Sequence, residues 1–257
     1  MVAILLSMIV LLGILSLFMG SVLGLLGGGG SILTLPILAY VADQPAGVAI
    51  ASSLVVVAIT SATSAAMHAK QGNVQWKTGL TFGSVAMVGA YVGGRVAHYF
   101  PGWLLLTMFA MLMVVTSLMM LRKKKTPTNR SQQPARPLLL AAEGLVVGAV
   151  TGLIGAGGGF LVVPALALMG GLSMRHAIGT SLLIIAMKST AGVVGHLSHV
   201  DIDWGLTLTI SAFAIIGSLA GAKFSTRVPA ALLRVVFAYF VLAMGSFIFI
   251  KELVAGF

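Results

Sequence analysis

Apolar residues in this chain come in long unbroken runs, not in the narrow stripes of a water-soluble domain. The clearest runs cover residues 2–26, 46–67, 78–97, 103–121, 138–154, 176–195, 205–222 and 231–250. A bilayer-crossing helix needs about 20 mostly apolar residues, and in hydrocarbon a helix satisfies its own backbone. Each run is therefore predicted as a membrane helix. Period-two alternation is missing, which excludes a membrane β-barrel. Two shorter apolar stretches, 32–41 and 160–169, each follow a cluster of glycines.

Composition agrees with that pattern. Hydrophobic residues make up 59% of the 257 positions and charged residues 8%, where a soluble domain carries about 25% charged residues. The first apolar run has no basic segment before it and is longer than a signal-peptide core, so it reads as a retained membrane helix. The net charge of +10 does not point to nucleic acid. Six of the fifteen Lys and Arg lie in one polar stretch, 122–136, and most others sit at helix ends, the distribution that sets membrane topology. The absence of cysteine removes disulfides, thiol catalysis and thiolate metal sites. No cofactor and no metal is expected.

The chain also contains itself. At an offset of 128 residues, Gly20, Gly24 and Gly27 fall on Gly148, Gly152 and Gly155, and Pro36 on Pro164. Ser53 falls on Ser181, His68 on His196, Trp76 on Trp204, Gly89 and Gly93 on Gly217 and Gly221, Arg95 on Lys223, and Pro101 on Pro229. Paired His, Trp and Pro at one fixed offset are not an accident of composition. The organisation read from this is a first membrane repeat, 1–121, a basic cytoplasmic linker, 122–137, and a second membrane repeat, 138–257. Internal repeats of this kind are typical of secondary transporters, with the substrate near the midplane at the repeat interface.

Charge then arranges the topology. If the short stretches cross the bilayer, each half has five segments and the second half is inverted. Lys70, Lys77, the linker, Arg175, Lys223, Arg227 and Arg234 then face the cytoplasm, with Arg95 and Lys251 outside. If the stretches are re-entrant, each half has four spans in parallel, and Arg175, Lys223, Arg227 and Arg234 move outside. The inverted arrangement fits the positive-inside rule better. The fold class is an all-α polytopic membrane protein of two homologous halves, read as inverted repeats of five segments, some short or broken; four spans plus a re-entrant segment per half is the alternative.

Several residues are candidates for chemistry. Consecutive glycines cost a helix about 1 kcal/mol each relative to alanine, so Gly27, Gly28, Gly29 and Gly30, and Gly155, Gly157, Gly158 and Gly159, are read as helix breaks. A break exposes amide groups, and the next half-helix, from Ser31 or Gly159, presents its positive end to an anion. The spaced pairs Gly20/Gly24 and Gly89/Gly93, with their mates, read as close helix packing. A dinucleotide site is rejected: a long apolar helix precedes each run, and the acid such a site needs is missing.

Lys188 lies in the middle of an apolar run, and its repeat mate is Thr60. A basic residue there costs about 2.5–3.5 kcal/mol, so it is read as the positive charge for an anionic substrate. Ser52, Ser53, Thr180 and Ser181 offer hydroxyls at matching depth. His68 and His196 close their helices at symmetric positions and are read as gating or proton-responsive groups. Trp76, Trp103 and Trp204 read as interfacial anchors. No nucleotide-binding or metalloprotease motif occurs, and the five acids lie in loops or near helix ends.

With these motifs in place, the chain resembles the sulfite exporter TauE/SafE family. The resemblance rests on two glycine-rich openings, residues 24–30 and 152–159, each followed by a proline, Pro36 and Pro164. It also rests on Gly179, Thr180, Ser181 and Leu182, and on His196 leading to Asp203 and Trp204. The first half departs from the pattern, with Ala51, Ser52 and Ser53 for Gly-Thr-Ser and Gln75 before Trp76. The resemblance implies a secondary transporter exporting a small anion, sulfite or a small organosulfonate, across the bacterial inner membrane. Its expected partners are that anion and the lipid bilayer, not nucleic acid, and a homo-oligomer stays open. Two other classes stay open as well: an intramembrane enzyme using Ser181, Lys188 and His196, and an anion channel.

Overall fold

The structure, a computed structural model, describes residues 2–28, 30–121, 137–155, 159, 162–163, 166, 172–224 and 230–255. Among them every regular element is helical. Helix α1 (Val2–Leu26) ends at a glycine break, and α2 (Ser31–Pro36) runs directly into a π-turn (Ile37–Val41). Then follow α3 (Ala46–Lys70), α4 (Trp76–Val96) with a terminal 3₁₀ turn (Ala97–Tyr99), α5 (Gly102–Leu121), α6 (Pro137–Ile154), α7 (Met174–His196), α8 (Trp204–Phe224) and α9 (Ala230–Ala255). Of the expected linker, 122–137, only Pro137 is described, as the first residue of α6; of the stretch 160–169 the structure describes only residues 162–163 and 166.

Local chemistry accounts for several boundaries. Pro36 brings no amide hydrogen to the ladder, and the turn after it widens so that the Ala42 amide donates to Ile37 O at 2.9 Å. Pro45 precedes the first turn of α3 with an extended backbone. Ser173 caps α7 by accepting from the His176 amide, and an Asp203 oxygen accepts from the Leu206 amide at 3.0 Å to start α8.

The outer face is apolar, and polar side chains are buried within an apolar core. Val10, Ile14 and Phe18 of α1, Val88 and Val92 of α4, and Leu208 and Ile216 of α8 face outward, while Ser52, Ser53, Ser61, Thr180, Ser181 and Lys188 are buried. In water such an apolar surface would aggregate; in lipid it is the solvated face. Five helices with described side chains are long and apolar enough to cross a membrane: those within 46–70, 76–99, 102–119, 175–196 and 204–224. Trp76 and Trp204 begin α4 and α8, and Trp103 lies one residue inside α5; all three are exposed.

Two glycine seams hold the helices together. Helix α1 packs on α8, and α6 on α4. A Cβ on Gly20 or Gly24 would lie 2.1 Å from the carbonyl oxygen of Ala214 or Ser218, and one on Gly217 or Gly221 2.1 Å from that of Leu17 or Ser21. The α4–α6 seam has the same contacts at the repeat positions: Gly148 against Ala86, Gly152 against Ala90, Gly89 against Leu145 and Gly93 against Ala149. Backbones touch along both seams because no side chain keeps them apart.

The long helices α3 and α7 form the middle layer. Gly47 lies beside Val200, Gly192 beside Leu54, and Gly179 beside Asn73. As numbers rise along one helix they fall along the other, so the two run antiparallel, and the middle of the paired stretch falls near Thr60 and Lys188. One end of the molecule gathers Gly102 with Ala46, His98 with His199, and Tyr40 with Glu252. The opposite end gathers Asn73 and Gln75 with Gly179 and Thr180.

Candidate functional site

The two glycine breaks meet in the interior. Gly27, Gly28 and Gly155 have φ of +69°, +146° and +74°, conformations open to glycine and strained for other residues. Gly28 lies so close to Gly159 that a Cβ on either would stand 2.3–2.4 Å from the other's Cα. Gly27 packs on Ile178 of α7, and Gly155 on Ile50 of α3. Gly30 folds back against Met19 and Leu23 of α1. Three of the sequence-predicted glycines, Gly29, Gly157 and Gly158, lie outside the described residues.

The predicted hydroxyls join these breaks in a different way from the one expected. Ser53 Oγ donates to Gly155 O at 2.6 Å, and Ser181 Oγ to Gly27 O at 2.5 Å, each also within reach of its own helix at Ile50 O or Ile178 O. Each serine thus clamps the break of the opposite half, and in this conformation its proton is held by carbonyls. A break leaves carbonyls without a helical partner, and in a dry interior the nearest hydroxyl fills the gap. Ser31 Oγ bonds back to Gly28 O at 2.7 Å. Thr180 Oγ1 accepts the Gln75 amide at 2.9 Å, which ties α7 to the turn between α3 and α4. Ser52 is buried on α3.

The two histidines repeat one contact. His68 Nε2 reaches Gly24 O at 3.3 Å, and His196 Nε2 reaches Gly152 O at 2.9 Å. A carbonyl only accepts, so the hydrogen sits on Nε2 in both rings. Each ring pins the end of α3 or α7 to the last turn of α1 or α6.

Lys188 is 1% exposed, and its Nζ donates to Thr151 Oγ1 at 2.8 Å. None of the described carboxylates forms an ion pair with it. The repeat mates of this pair, Thr60 and Leu23, carry no charge: Thr60 bonds back to Val56 O at 2.6 Å and Leu23 is fully buried. A buried ammonium with one neutral partner is costly unless another acceptor joins it. Because Lys188 turns to Thr151 and Ser181 to backbone carbonyls, the Ser–Lys dyad of the enzyme alternative is not assembled.

Sequence reasoning passed over several polar groups here. Among the described residues, the hydroxyls of Ser61, Ser64, Ser189 and Thr207 are buried without a hydrogen-bond partner. Ser61 and Ser189 stand at equivalent repeat positions, one step past Thr60 and Lys188. That symmetric pair of hydroxyls within long apolar runs was the signal. Thr151 was hidden because its mate is Leu23.

The comparisons agree with this architecture. A family model described as "Sulfite exporter TauE/SafE" matches residues 12–248. The chain is 34% identical over 235 residues to a "Probable membrane transporter protein" of Xylella fastidiosa (strain 9a5c), covering 89% of this chain and 90% of that protein. It is 29% identical to the Bacillus subtilis (strain 168) "Probable membrane transporter protein YdhB", covering 84% of this chain and 90% of that one. A Methanocaldococcus jannaschii "Probable membrane transporter protein MJ0441" is 27% identical, with 95% of each chain covered. No solved structure matches. An all-helical chain with an outward apolar surface, polar side chains buried in its interior and relatives named as transporters over nearly its whole length is a multi-pass membrane transporter, and it belongs to the sulfite exporter TauE/SafE family.

Proposed function

We propose that the protein is a secondary carrier that exports a small anion, sulfite or a small organosulfonate, across the bacterial cytoplasmic membrane, with Lys188 as the charge that binds it. The observation that carries this reading is a buried lysine near the middle of α7 whose hydrogen bond goes to a neutral hydroxyl, Thr151. An anion beside Nζ would cancel the cost of burying the charge, while Thr151 holds the amine in place. Ser61 and Ser189, buried without partners among the described residues, are further donors for the same anion. The glycine breaks, held by Ser53 and Ser181, form the floor of the site, and His68 and His196 are its gates.

Support for inverted repeats comes from the antiparallel run of α3 and α7, which occupy equivalent places in the two halves. Support for the sidedness comes from charge. The end that holds Asn73, Gln75 and Thr180 also carries Lys70, Lys77 and Arg175 and is read as cytoplasmic. In this arrangement the halves alternate access around a site at mid-depth. The membrane potential, inside negative, contributes about 2.3 kcal/mol per anionic charge per 100 mV in the outward direction, which is enough to drive export without a coupled ion.

The test is flux in proteoliposomes under an imposed potential, with radiolabelled sulfite and a small sulfonate as substrates. Lys188→Met keeps the stem and removes the charge. It is expected to insert as well as wild type and to lose at least about tenfold in anion affinity, the worth of one charge-assisted contact. Lys188→Arg is expected to keep part of the function. Wild-type flux in Lys188→Met would show that the lysine does not bind the substrate.

A further inference from the structure

At the end of the molecule that gathers His98 with His199, a cleft of about 350 Å³ opens between the end of α4 and the turn after α7. Arg95, His98, His199, Tyr91 and Tyr99 line it. The rings of His98 and His199 stack at 3.9 Å with 25° between their planes, and His98 Nδ1 is engaged with Arg95 O at 2.7 Å. Among the described residues no carboxylate pairs with Arg95. The cleft brings together a guanidinium, two imidazoles and two phenols, flanked by Val92 and Val96, with no carboxylate in its lining. The repeat does not dictate it: His98 and His199 fall opposite Thr226 and Gln71.

The cleft is also in register with the buried lysine. Lys188, Gly192 and Gly195 follow one another at steps of four and three along α7, on one face, and His199 lies in the turn just past the end of the helix, its amide bonded to His196 O. The eight helical steps from Lys188 to His196, at 1.5 Å each, cover about 12 Å, close to half of a hydrocarbon core of about 30 Å. Between the two points α7 touches its neighbours closely: a Cβ on Gly195 would stand 2.6 Å from Tyr91 O, and one on Gly192 3.1 Å from Leu54.

We propose that this cleft is a second binding site for a small oxyanion, in line with Lys188 and holding the anion at the outer mouth of its path. The chemistry it recognises is a compact group with several anionic oxygens, supplied by a free sulfonate or sulfite or by the phosphate of a lipid headgroup. Arg95 offers its fork of donors to two oxygens, and the His199 ring, stacked on His98, adds charge when an anion is present to offset the neighbouring positive groups. The site's chemistry is independent of Lys188; its assignment to the outer side rests on the topology proposed above. That role also accounts for a basic residue on the side of the membrane where few are expected.

The groups facing the histidine stack are Arg95, Tyr91 and Tyr99 from α4 and its terminal turn and His196 from the end of α7, whose Nε2 is engaged with Gly152 O; Asp201 and Asp203 follow in the α7–α8 turn, the latter engaged with the Leu206 amide. Desolvation, then the positive fields of His98 and Arg95, hold the His199 ring below the ordinary histidine range. The free site is therefore less charged at neutral pH, and binding takes up a proton and tightens as pH falls.

The experiment is calorimetric titration with methanesulfonate, whose charge is constant across this range, on the full chain in neutral-lipid nanodiscs. In a Lys188→Met background only the outer site remains, and binding is expected to persist and to tighten from pH 8 to pH 6. Adding Arg95→Gln is expected to weaken it at least about tenfold, Arg95→Lys to keep most of it, and His199→Gln to flatten the pH dependence. Nanodiscs containing phosphatidylglycerol separate the two sources: competition assigns the cleft to headgroup phosphate, and its absence to the free anion. Loss of all binding in Lys188→Met, or equal binding with and without Arg95, would overturn the proposal. Equal binding by wild type and Lys188→Met would count against the Lys188 reading alone.

Discussion

The glycine seams allow a sharp test of what holds the helices together. Replacing Gly24 by alanine adds one methyl group to α1, and that carbon would stand 2.1 Å from Ser218 O and 2.8 Å from the Ala222 amide nitrogen of α8. A carbon and a carbonyl oxygen settle at about 3.3–3.6 Å at their closest, so α1 and α8 must part by about 1 Å or more. A gap of that size forfeits a quarter to a half of each dispersion contact along the seam, and overpacking of this kind costs about 1–3 kcal/mol. Propensity runs the other way, since alanine favours a helix over glycine by about 1 kcal/mol. Gly47→Ala on α3 isolates that gain, because its Cβ would meet nothing nearer than Val200 at 3.7 Å. Thermal melting in detergent, followed by size exclusion, reads both. At about 2–4 °C per kcal/mol for a chain of this size, the net cost of about 0–2 kcal/mol is expected to lower the midpoint of Gly24→Ala by up to about 8 °C, and Gly47→Ala is expected to leave it unchanged or raise it. Gly152→Ala, the equivalent change in the α4–α6 seam, where the Cβ would lie 2.3 Å from Ala90 O, is expected to match Gly24→Ala. If Gly24→Ala melts at or above Gly47→Ala, backbone contact along the seams is not what stabilises the bundle.

Three further outcomes are expected. Ser53→Ala and Ser181→Ala each free a buried carbonyl, Gly155 O or Gly27 O, at about 1–3 kcal/mol; both lower the melting midpoint, and the double variant lowers it by nearly the sum if the two clamps act independently, as double-mutant cycle analysis will show. Gly28→Ala forces a side chain into a φ of +146° and within 2.4 Å of Gly159, so flux is expected to fall while membrane insertion, read by fractionation, is retained. Ser198→Cys places an exposed thiol in the α7–α8 turn, and an impermeant maleimide is expected to label it in intact cells; labelling only after lysis would reject the proposed sidedness.

What was legible without coordinates is the part that depends on solvent and on length. Runs of about 20 apolar residues become helices in lipid wherever they fall in the chain, so the boundaries of α3, α4, α5 and α8 lie within a few residues of the runs that predict them. The 128-residue offset was equally visible, because equivalent places in two halves ask for equivalent residues. Lys188 stood out because a charge in an apolar run carries its cost at any position. Partners were not legible. A hydroxyl in an apolar run looks the same whether it faces a substrate, its own helix or a carbonyl 154 residues away, as Ser181 does. Thr151 gave no sign of its role, since only the approach of α6 to α7 sets it beside Lys188.

The histidines show the same division between local and assembled properties. The match of His68 with His196 was plain in the sequence, and the fold gave both the same contact, on Gly24 and Gly152. His98 and His199 share no repeat position and lie 101 residues apart, so nothing in the pattern joined them. By itself, then, the sequence determined the solvent, the helices and the duplication, because each depends on properties that residues carry individually or in short runs. Tertiary structure decided which polar groups meet, because in a dry interior a polar group takes the partner that packing brings within 3 Å, and only the approach of distant helices settles which one that is.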